Sequence, residues 1–174
     1  MFFLKLLSKL LKALRSAASP GQLAGGFILG MIIGLTPVWS LHNLVVVVLI
    51  IILNVNISMA IFSFALCSGF AYLLDPLFHS FGYWLLVDVS ALYGLWKFMA
   101  ETPLLALGRF NNTVVLGSFI VSVLLLIPMY FLVKHGVVLY REKIDARIQK
   151  WKIIQAIKSS KLYSLYQKIS NLRD

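Results

Sequence analysis

Residues 22–43 read QLAGGFILGMIIGLTPVWSLHN, and this stretch decides the fold. Within it, Gly26, Gly30 and Gly34 recur at four-residue intervals and therefore share one face of a helix. Such a face lets the backbone of a second helix come into contact, which is how helices associate in lipid. The pattern predicts that these glycines pack against another helix. A ligand approaching the backbone directly is the alternative.

A break follows the glycine face at Thr36-Pro37. About fourteen apolar residues precede it, whereas a helix needs roughly 20 to span a bilayer. The next segment carries His42 and Asn43, then a run of Val, Leu and Ile that ends at Asn54. The two short halves predict a re-entrant hairpin or one broken helix, which lipid tolerates only where the freed backbone groups are satisfied. The turn containing Thr36, Pro37 and His42 is therefore a candidate functional site.

The composition excludes most classes of soluble protein. The chain has 174 residues, of which 60% are apolar, and its mean hydropathy is +0.90. These values are those of an integral membrane protein and predict an all-α fold, because one lone apolar strand would leave its backbone unpaired in lipid. The single cysteine, Cys67, lies in an apolar run and provides neither a disulfide nor a cysteine metal site.

Charge is concentrated at the two ends of the chain. No charged side chain lies between Arg15 and Asp75, and the net charge of +10 comes mainly from both termini. Because cytoplasmic segments carry an excess of Lys and Arg, both termini are predicted to be cytoplasmic, which requires an even number of crossings.

The N-terminal segment is an amphipathic helix by its spacing. Its cationic residues recur every three or four positions, unlike the single charged start of a signal peptide, and are expected to bind lipid headgroups. They are Lys5, Lys9, Lys12 and Arg15. Residues 141–174 form a basic helical tail for a membrane surface or a partner, with a break expected at Ser159-Ser160. The predicted organisation is an interfacial helix at 1–18, a membrane domain at 19–134 and a cytoplasmic tail at 135–174.

Two further segments are long enough to cross a bilayer, namely 57–74 and 114–133. The first is expected to stop at Asp75-Pro76, with the carboxylate capping the helix that follows. Residues 77–96 carry Asp88 and either lie in the interface or cross with that carboxylate facing inward. Two arrangements with two to four spans keep both termini on the cytoplasmic side: a re-entrant hairpin plus two spans, or one broken span plus three. The first is favoured.

Several polar residues near the ends of these segments are candidates for capping or for headgroup contact. Asn54 and Asn56 are expected to close a turn, their amides replacing backbone partners. Arg109, Asn111 and Asn112 precede the last span on the non-cytoplasmic side. Helix capping and headgroup anchoring explain these three residues, and docking of a periplasmic domain is the functional alternative.

The sequence offers little for catalysis. It contains no motif of a known nucleophile, phosphate loop or metal centre, and His42, His79 and His135 lack metal-ligand spacing. No catalytic residue, metal or cofactor is therefore predicted, and the chain is not expected to be an enzyme. Nucleic acid is not an expected partner, because lipid headgroups are the nearer polyanion for the basic segments.

Residues 19–125 resemble the DUF2062 family of small bacterial membrane proteins. The resemblance rests on an ordered set of motif residues: Gly30, Gly34, Pro37, His42, Asn56, Asp75-Pro76 and Asn111-Asn112-Thr113. Ser40 departs from the pattern, since the family tends to have glycine there. The resemblance implies a bacterial inner-membrane protein. It also implies association with large AsmA-like proteins of the kind implicated in moving phospholipid between membranes.

Three functions are compatible with these features. The leading hypothesis is a non-enzymatic inner-membrane partner subunit of an envelope phospholipid-transport system. The alternative is a small oligomeric channel or transporter in which the broken helices line a pore and His42 and Asp88 face water. A membrane enzyme that uses His42 or Asp75 on lipid-linked substrates is the third. A homo-oligomer is compatible with each.

Overall fold

A computed structural model describes residues 10–145 of the chain. Every regular element in that range is helical, and residues 10–14 are the described end of a first helical stretch. The α-helices are α1 (Pro20–Leu35), α2 (Leu41–Ile52), α3 (Ile57–Tyr83), α4 (Tyr93–Glu101), α5 (Pro103–Ala106) and α6 (Thr113–Leu139). A π-helical turn (Trp84–Asp88) and a 3-10 turn (Ser90–Leu92) follow α3, and a second π-helical segment (Tyr140–Asp145) follows α6. The all-α prediction is confirmed for this range.

The chain divides into two compact units, Met1–His135 and Gly136–Asp174. Of the second unit, the described part is the end of α6 and the π-helical segment. The predicted headgroup contacts of Lys5 and Lys9 and the break at Ser159-Ser160 lie outside the described residues. Lys12 and Arg15 lie within them and are exposed.

Local chemistry sets both ends of α1. The Ser19 hydroxyl accepts from the Gln22 amide at 3.1 Å, and the Gln22 side-chain oxygen accepts from the Ser19 amide at 2.8 Å. This reciprocal pair satisfies two amides that the first helical turn leaves unpaired, and Pro20 follows at the first helical position, where its missing N–H costs nothing. The helix ends at Leu35, because a residue before proline, here Thr36, disfavours helical backbone angles.

The first two helices form an antiparallel hairpin. The start of α1 is bonded to the segment after α2: the Gln22 side-chain amide donates to the Asn54 carbonyl at 3.2 Å, and the Asn56 amide donates to the Gln22 carbonyl at 3.1 Å. Residues 36–40 connect the two helices at the other end. Inside the hairpin, Leu29, Ile32 and Val46 form a buried apolar cluster.

The third helix runs parallel to α1 along the glycine face. A Cβ atom on any of the three glycines would lie less than 3.0 Å from the backbone or a Cβ atom of this neighbour. The contacts advance together along both helices: Gly26 meets Asn56, Gly30 meets Ala60, and Gly34 meets Phe64 and Cys67. The structure thus places the predicted glycine face directly against α3.

A second close helix contact joins the end of α3 to the start of α6. A Cβ atom on Gly82 would lie less than 3.0 Å from the Thr113 carbonyl, and one on Gly117 equally close to the Phe78 carbonyl. His79 Nδ1 and Thr113 Oγ1 lie 2.6 Å apart at the same contact. The two helices are therefore antiparallel, and α6 begins at the end of the molecule that the hairpin connection also occupies.

The expectation that Asp75-Pro76 ends the third helix is wrong. The helix continues through Pro76 to Tyr83, so Asp75 lies inside it and caps nothing. Proline is tolerated here because it removes a single main-chain donor, and a helix among other helices can absorb that loss. Residues 77–96 accordingly form no separate span: they complete α3, make the π and 3-10 turns and begin α4.

Two helical stretches in the described part of the chain have the length and apolar character needed to cross a membrane, Ile57–Asp88 and Thr113–Lys143. The helices of the hairpin, with 16 and 12 residues, are shorter. These lengths agree with the lengths of the apolar segments in the sequence, which predicted two full-length spans and two short halves.

Candidate functional site at the hairpin tip

The candidate site is the connection between α1 and α2, where a buried hydroxyl contacts both helices. Thr36 is buried, and its Oγ1 lies 2.7 Å from the Ile32 carbonyl and 2.9 Å from Asn43 Oδ1. The single hydroxyl proton is shared between these two acceptors. The contact ties the last turn of α1 to the first turn of α2.

Asn43 satisfies the other side of the break. It is 3% exposed, and its Nδ2 donates to the Pro37 carbonyl at 2.9 Å and, more weakly, to the Val38 carbonyl at 3.4 Å. Pro37 interrupts the helix, so these carbonyls have no helical donor. Ser40 donates to the same two carbonyls, through its hydroxyl to Pro37 and through its amide to Val38 at 3.1 Å. Both carbonyls of the bend are thus paired in an apolar setting, where an unpaired carbonyl would be costly.

His42 lies beside this bend and is 8% exposed. Ser40 Oγ donates to the Pro37 carbonyl at 2.7 Å and lies 3.0 Å from His42 Nε2. Because the serine hydroxyl donates its one proton to the carbonyl, Nε2 is assigned as the donor to Ser40 Oγ. Nδ1 is buried and has no hydrogen-bond partner among the described residues, so a second proton there would create a buried unpaired charge, and the imidazole is assigned as neutral.

Two aromatic rings from α6 and the segment before it enclose the imidazole. Its ring centre lies 5.7 Å from that of Phe110, nearly stacked at 26°, and 4.9 Å from that of Phe119. The two phenylalanine rings are themselves 5.2 Å apart. His42 is therefore a packed side chain that joins the hairpin to α6.

A groove opens next to these residues, between the hairpin and the segment around α5. Its volume is about 630 Å³. Apolar side chains of Ile33, Leu44 and Val47 line one side, and Leu107 and Arg109 line the other. The groove is of the size and apolar character usual for small-molecule sites.

The other polar candidates make no hydrogen bond to the tip among the described residues. Asn56 caps α3, since its Oδ1 accepts from the Met59 amide at 2.9 Å, and Asn54 ends the hairpin with a left-handed φ of 50°. Asn112 caps α6 by accepting from two amides, at 3.0 and 3.1 Å, whereas Asn111 is exposed. Asp88 is exposed in the π-helical turn after α3.

The channel alternative expects both His42 and Asp88 to face water. His42 is buried at the tip and Asp88 is exposed on another element, so one molecule does not bring them together in a common cavity. Within residues 10–145, no three His, Cys, Asp or Glu side chains form a group that could hold a metal ion.

Sequence reasoning missed several of these contacts. The aromatic partners Phe110 and Phe119 lie about 70 positions from His42, and nothing local signals them. Gly82 and Gly117 belong to different helices, so their contact leaves no repeat in the sequence. The buried Asn43 had a signal, since an amide beside a proline break in an apolar run needs a backbone partner.

Comparison with known proteins identifies the family of the chain. Residues 5–145 match the family described as an uncharacterized protein conserved in bacteria (DUF2062). The chain belongs to the DUF2062 family. A relative of this DUF2062 protein in Treponema pallidum (strain Nichols), described as an uncharacterized protein, is 24% identical over 159 residues, covering 91% of this chain and 98% of the relative. No solved structure matches the chain.

Proposed function

We propose that this DUF2062 protein is integral to the bacterial inner membrane, with both termini cytoplasmic. There it serves as a non-enzymatic partner subunit of an envelope phospholipid-transport system. The exposed apolar surface of the two long helices supports the membrane setting. In the most apolar 18-residue stretch of each helix, only 22% of the residues are buried for Ile57–Asp88 and 28% for Thr113–Lys143. A soluble core helix would be mostly buried, whereas lipid covers such a surface at no cost.

The hairpin geometry supports a re-entrant element plus two spans. At 1.5 Å per residue, α1 and α2 are about 24 Å and 18 Å long, less than the ~30 Å hydrocarbon core. The hydrogen bonds of Gln22 return the chain to the side on which it entered, before α3 begins. Two crossings by α3 and α6 then bring the C terminus back to the same side, in keeping with the basic character of both ends.

The tip of the hairpin is the surface proposed to meet a partner. Trp39 is 90% exposed and Val38 is 52% exposed, while Thr36, His42 and Asn43 beneath them are buried and bonded to one another or to the bend. Tryptophan is enriched at protein interfaces and at the membrane surface, and a fixed base lowers the entropy cost of binding. In the proposed topology this tip faces the periplasm.

The polar groups of the tip hold the bend in place, which argues against a reactive role for them. The hydroxyls of Thr36 and Ser40 and the amide of Asn43 all bond to the bend itself. The family resemblance is what indicates an AsmA-like protein as the partner. AsmA-like proteins are implicated in phospholipid movement in the envelope.

Site-specific cross-linking tests this proposal. A photoreactive amino acid at Trp39 is expected to cross-link a large envelope protein in native membranes, and mass spectrometry identifies the product. Ile51 is the matched control position, because it is 72% exposed on α2 but lies at the other end of the hairpin. Deletion of the chain is expected to alter the distribution of phospholipid between the two membranes.

Two outcomes contradict the proposal. Release of the chain by carbonate washing would show that the protein is not integral to the membrane. The partner role would be contradicted if position 39 cross-links no more than position 51 and the deletion strain has an unchanged lipid distribution.

A further inference from the structure

We infer that the groove beside the hairpin tip holds one phospholipid molecule, with an acyl chain between the hairpin and α5 and the headgroup phosphate at Arg109. This inference rests on the proposed function, since it names the molecule that the subunit would hold. The ligand of the groove is a membrane lipid and not a soluble anion.

The shape and lining of the groove fit an acyl chain. Its volume of about 630 Å³ lies within the usual range for ligand sites, and most of its lining is aliphatic. The hairpin contributes Ile33, Leu44 and Val47, and Leu107 lies opposite them. An apolar cleft of this kind favours an apolar chain over a small hydrophilic solute.

The polar side chains of the lining are already engaged. Ser40 donates to the Pro37 carbonyl, and Asn43 donates to the same carbonyl while accepting from Thr36. They therefore offer little to a headgroup. Arg109 differs, because it is the charged member of the groove lining and no ion pair of its guanidinium is found within residues 10–145.

The backbone fixes the place of this cation. Arg109 adopts a left-handed φ of 54°, its amide donates to the Ala106 carbonyl at 3.0 Å, and its carbonyl accepts from the Asn112 amide at 2.9 Å. This tight turn holds Arg109 at the groove edge directly before α6. A guanidinium matches phosphate in charge and geometry, so an apolar cleft with one arginine at its edge is complementary to a phospholipid.

The position of the groove agrees with a lipid source. It lies at the tip end of the hairpin, beside the exposed Trp39 and Leu107. In the proposed topology that end is the outer leaflet of the inner membrane, where phospholipid leaving for the outer membrane must be collected. A lipid can enter sideways from the bilayer without leaving an apolar environment.

The test uses the full chain in phosphatidylcholine nanodiscs that contain a trace of phosphatidylglycerol with a photoactivatable acyl chain. Cross-linking, followed by peptide mapping, is expected to label residues 33–47 and 104–109. Arg109→Asn keeps a residue that tolerates left-handed φ but removes the cation, and should lower this labelling roughly tenfold. Arg109→Lys should retain most of it.

Controls separate this site from lipid that merely surrounds the protein. Lys97→Gln removes an exposed cation of α4 that does not line the groove and should leave labelling unchanged. Leu44→Trp, which fills the groove, should abolish labelling of 33–47 while thermal unfolding shows that the variant is folded. Excess inorganic phosphate should not compete, and competition by it would point to a site for a free anion.

Equal labelling of wild type and Arg109→Asn overturns the inference, as does labelling spread evenly over α3 and α6. That result leaves the cross-link from Trp39 and the lipid phenotype of the deletion as independent measures of the proposed function. Release of the chain from membranes would instead refute the proposed function itself.

Discussion

Gly30 contacts the backbone of Ala60 so closely that a Cβ atom on the glycine would lie less than 3.0 Å from the alanine carbonyl oxygen. The obstacle is main chain, which cannot turn aside as a flexible side chain can. The contact lies midway along the glycine face, with Gly26 and Gly34 on either side. The distance between α1 and α3 therefore depends on the absence of a single methyl group.

Gly30→Ala is expected to lower the free energy of unfolding by about 1–3 kcal/mol, because the two helices must separate. Gly69→Ala on α3 is the control: that glycine is exposed and its Cβ would meet nothing within 4 Å, so the change should be neutral or slightly stabilising. Thermal unfolding of both variants in detergent measures the difference. Equal stability of the two variants would show that the glycine face does not set the packing.

The second glycine contact gives a parallel prediction for α6. Gly117→Ala would place a methyl group against the Phe78 carbonyl and should also cost about 1–3 kcal/mol of unfolding free energy. Gly136→Ala, on the same helix but with open space around the new Cβ, should cost nothing. The same unfolding measurement compares the pair. A larger loss for Gly136→Ala than for Gly117→Ala contradicts the contact.

Loss of the Asn43 side chain should loosen the hairpin tip. Asn43→Ala removes hydrogen bonds to the Pro37 and Val38 carbonyls and to the Thr36 hydroxyl, at an expected cost of about 1–3 kcal/mol of unfolding free energy. Hydrogen exchange should accelerate at the first amides of α2. Asn111→Ala removes an exposed amide and should change unfolding free energy by less than about 0.5 kcal/mol. Unaltered exchange in the Asn43 variant would argue against a role for this amide at the bend.

The packing of His42 predicts which substitutions it tolerates. His42→Phe keeps a ring against Phe110 and Phe119 and should cost less than about 1.5 kcal/mol of unfolding free energy. His42→Ala leaves a cavity and should cost about 2–5 kcal/mol. Unfolding midpoints compare the two. If His42→Phe folds normally and yet fails to restore the lipid distribution of a deletion strain, the imidazole has a functional role beyond packing.

Accessibility labelling tests the proposed topology. Leu53→Cys and Asp88→Cys place thiols at exposed positions, after the hairpin and after α3. Cys67 is buried and can remain. A membrane-impermeant maleimide applied to cells with a permeabilised outer membrane should label position 88, and position 53 only after lysis. Labelling of both from the same side would exclude a single crossing by α3.

The sequence by itself determined much of this protein. Apolar composition, the Thr36-Pro37 break and the spacing of Gly26, Gly30 and Gly34 predicted two short helices and a helix-packing face. These features are local: their meaning depends on helical periodicity and on length relative to a bilayer. The prediction that Asp75-Pro76 ends the third helix was wrong. A proline inside a helix removes one main-chain donor, and whether the helix continues past it depends on the tertiary structure and not on the local sequence.

Only the tertiary structure decided what the glycine face meets and what encloses His42. The contacts of Gly30 with Ala60 and of His42 with Phe110 and Phe119 join positions far apart in the chain. The same holds for the groove that ends at Arg109. Periodicity specifies which face of a helix is buried, but it carries no information on which partner covers that face. The choice of partner follows from the simultaneous fit of all the helices, which no single segment contains.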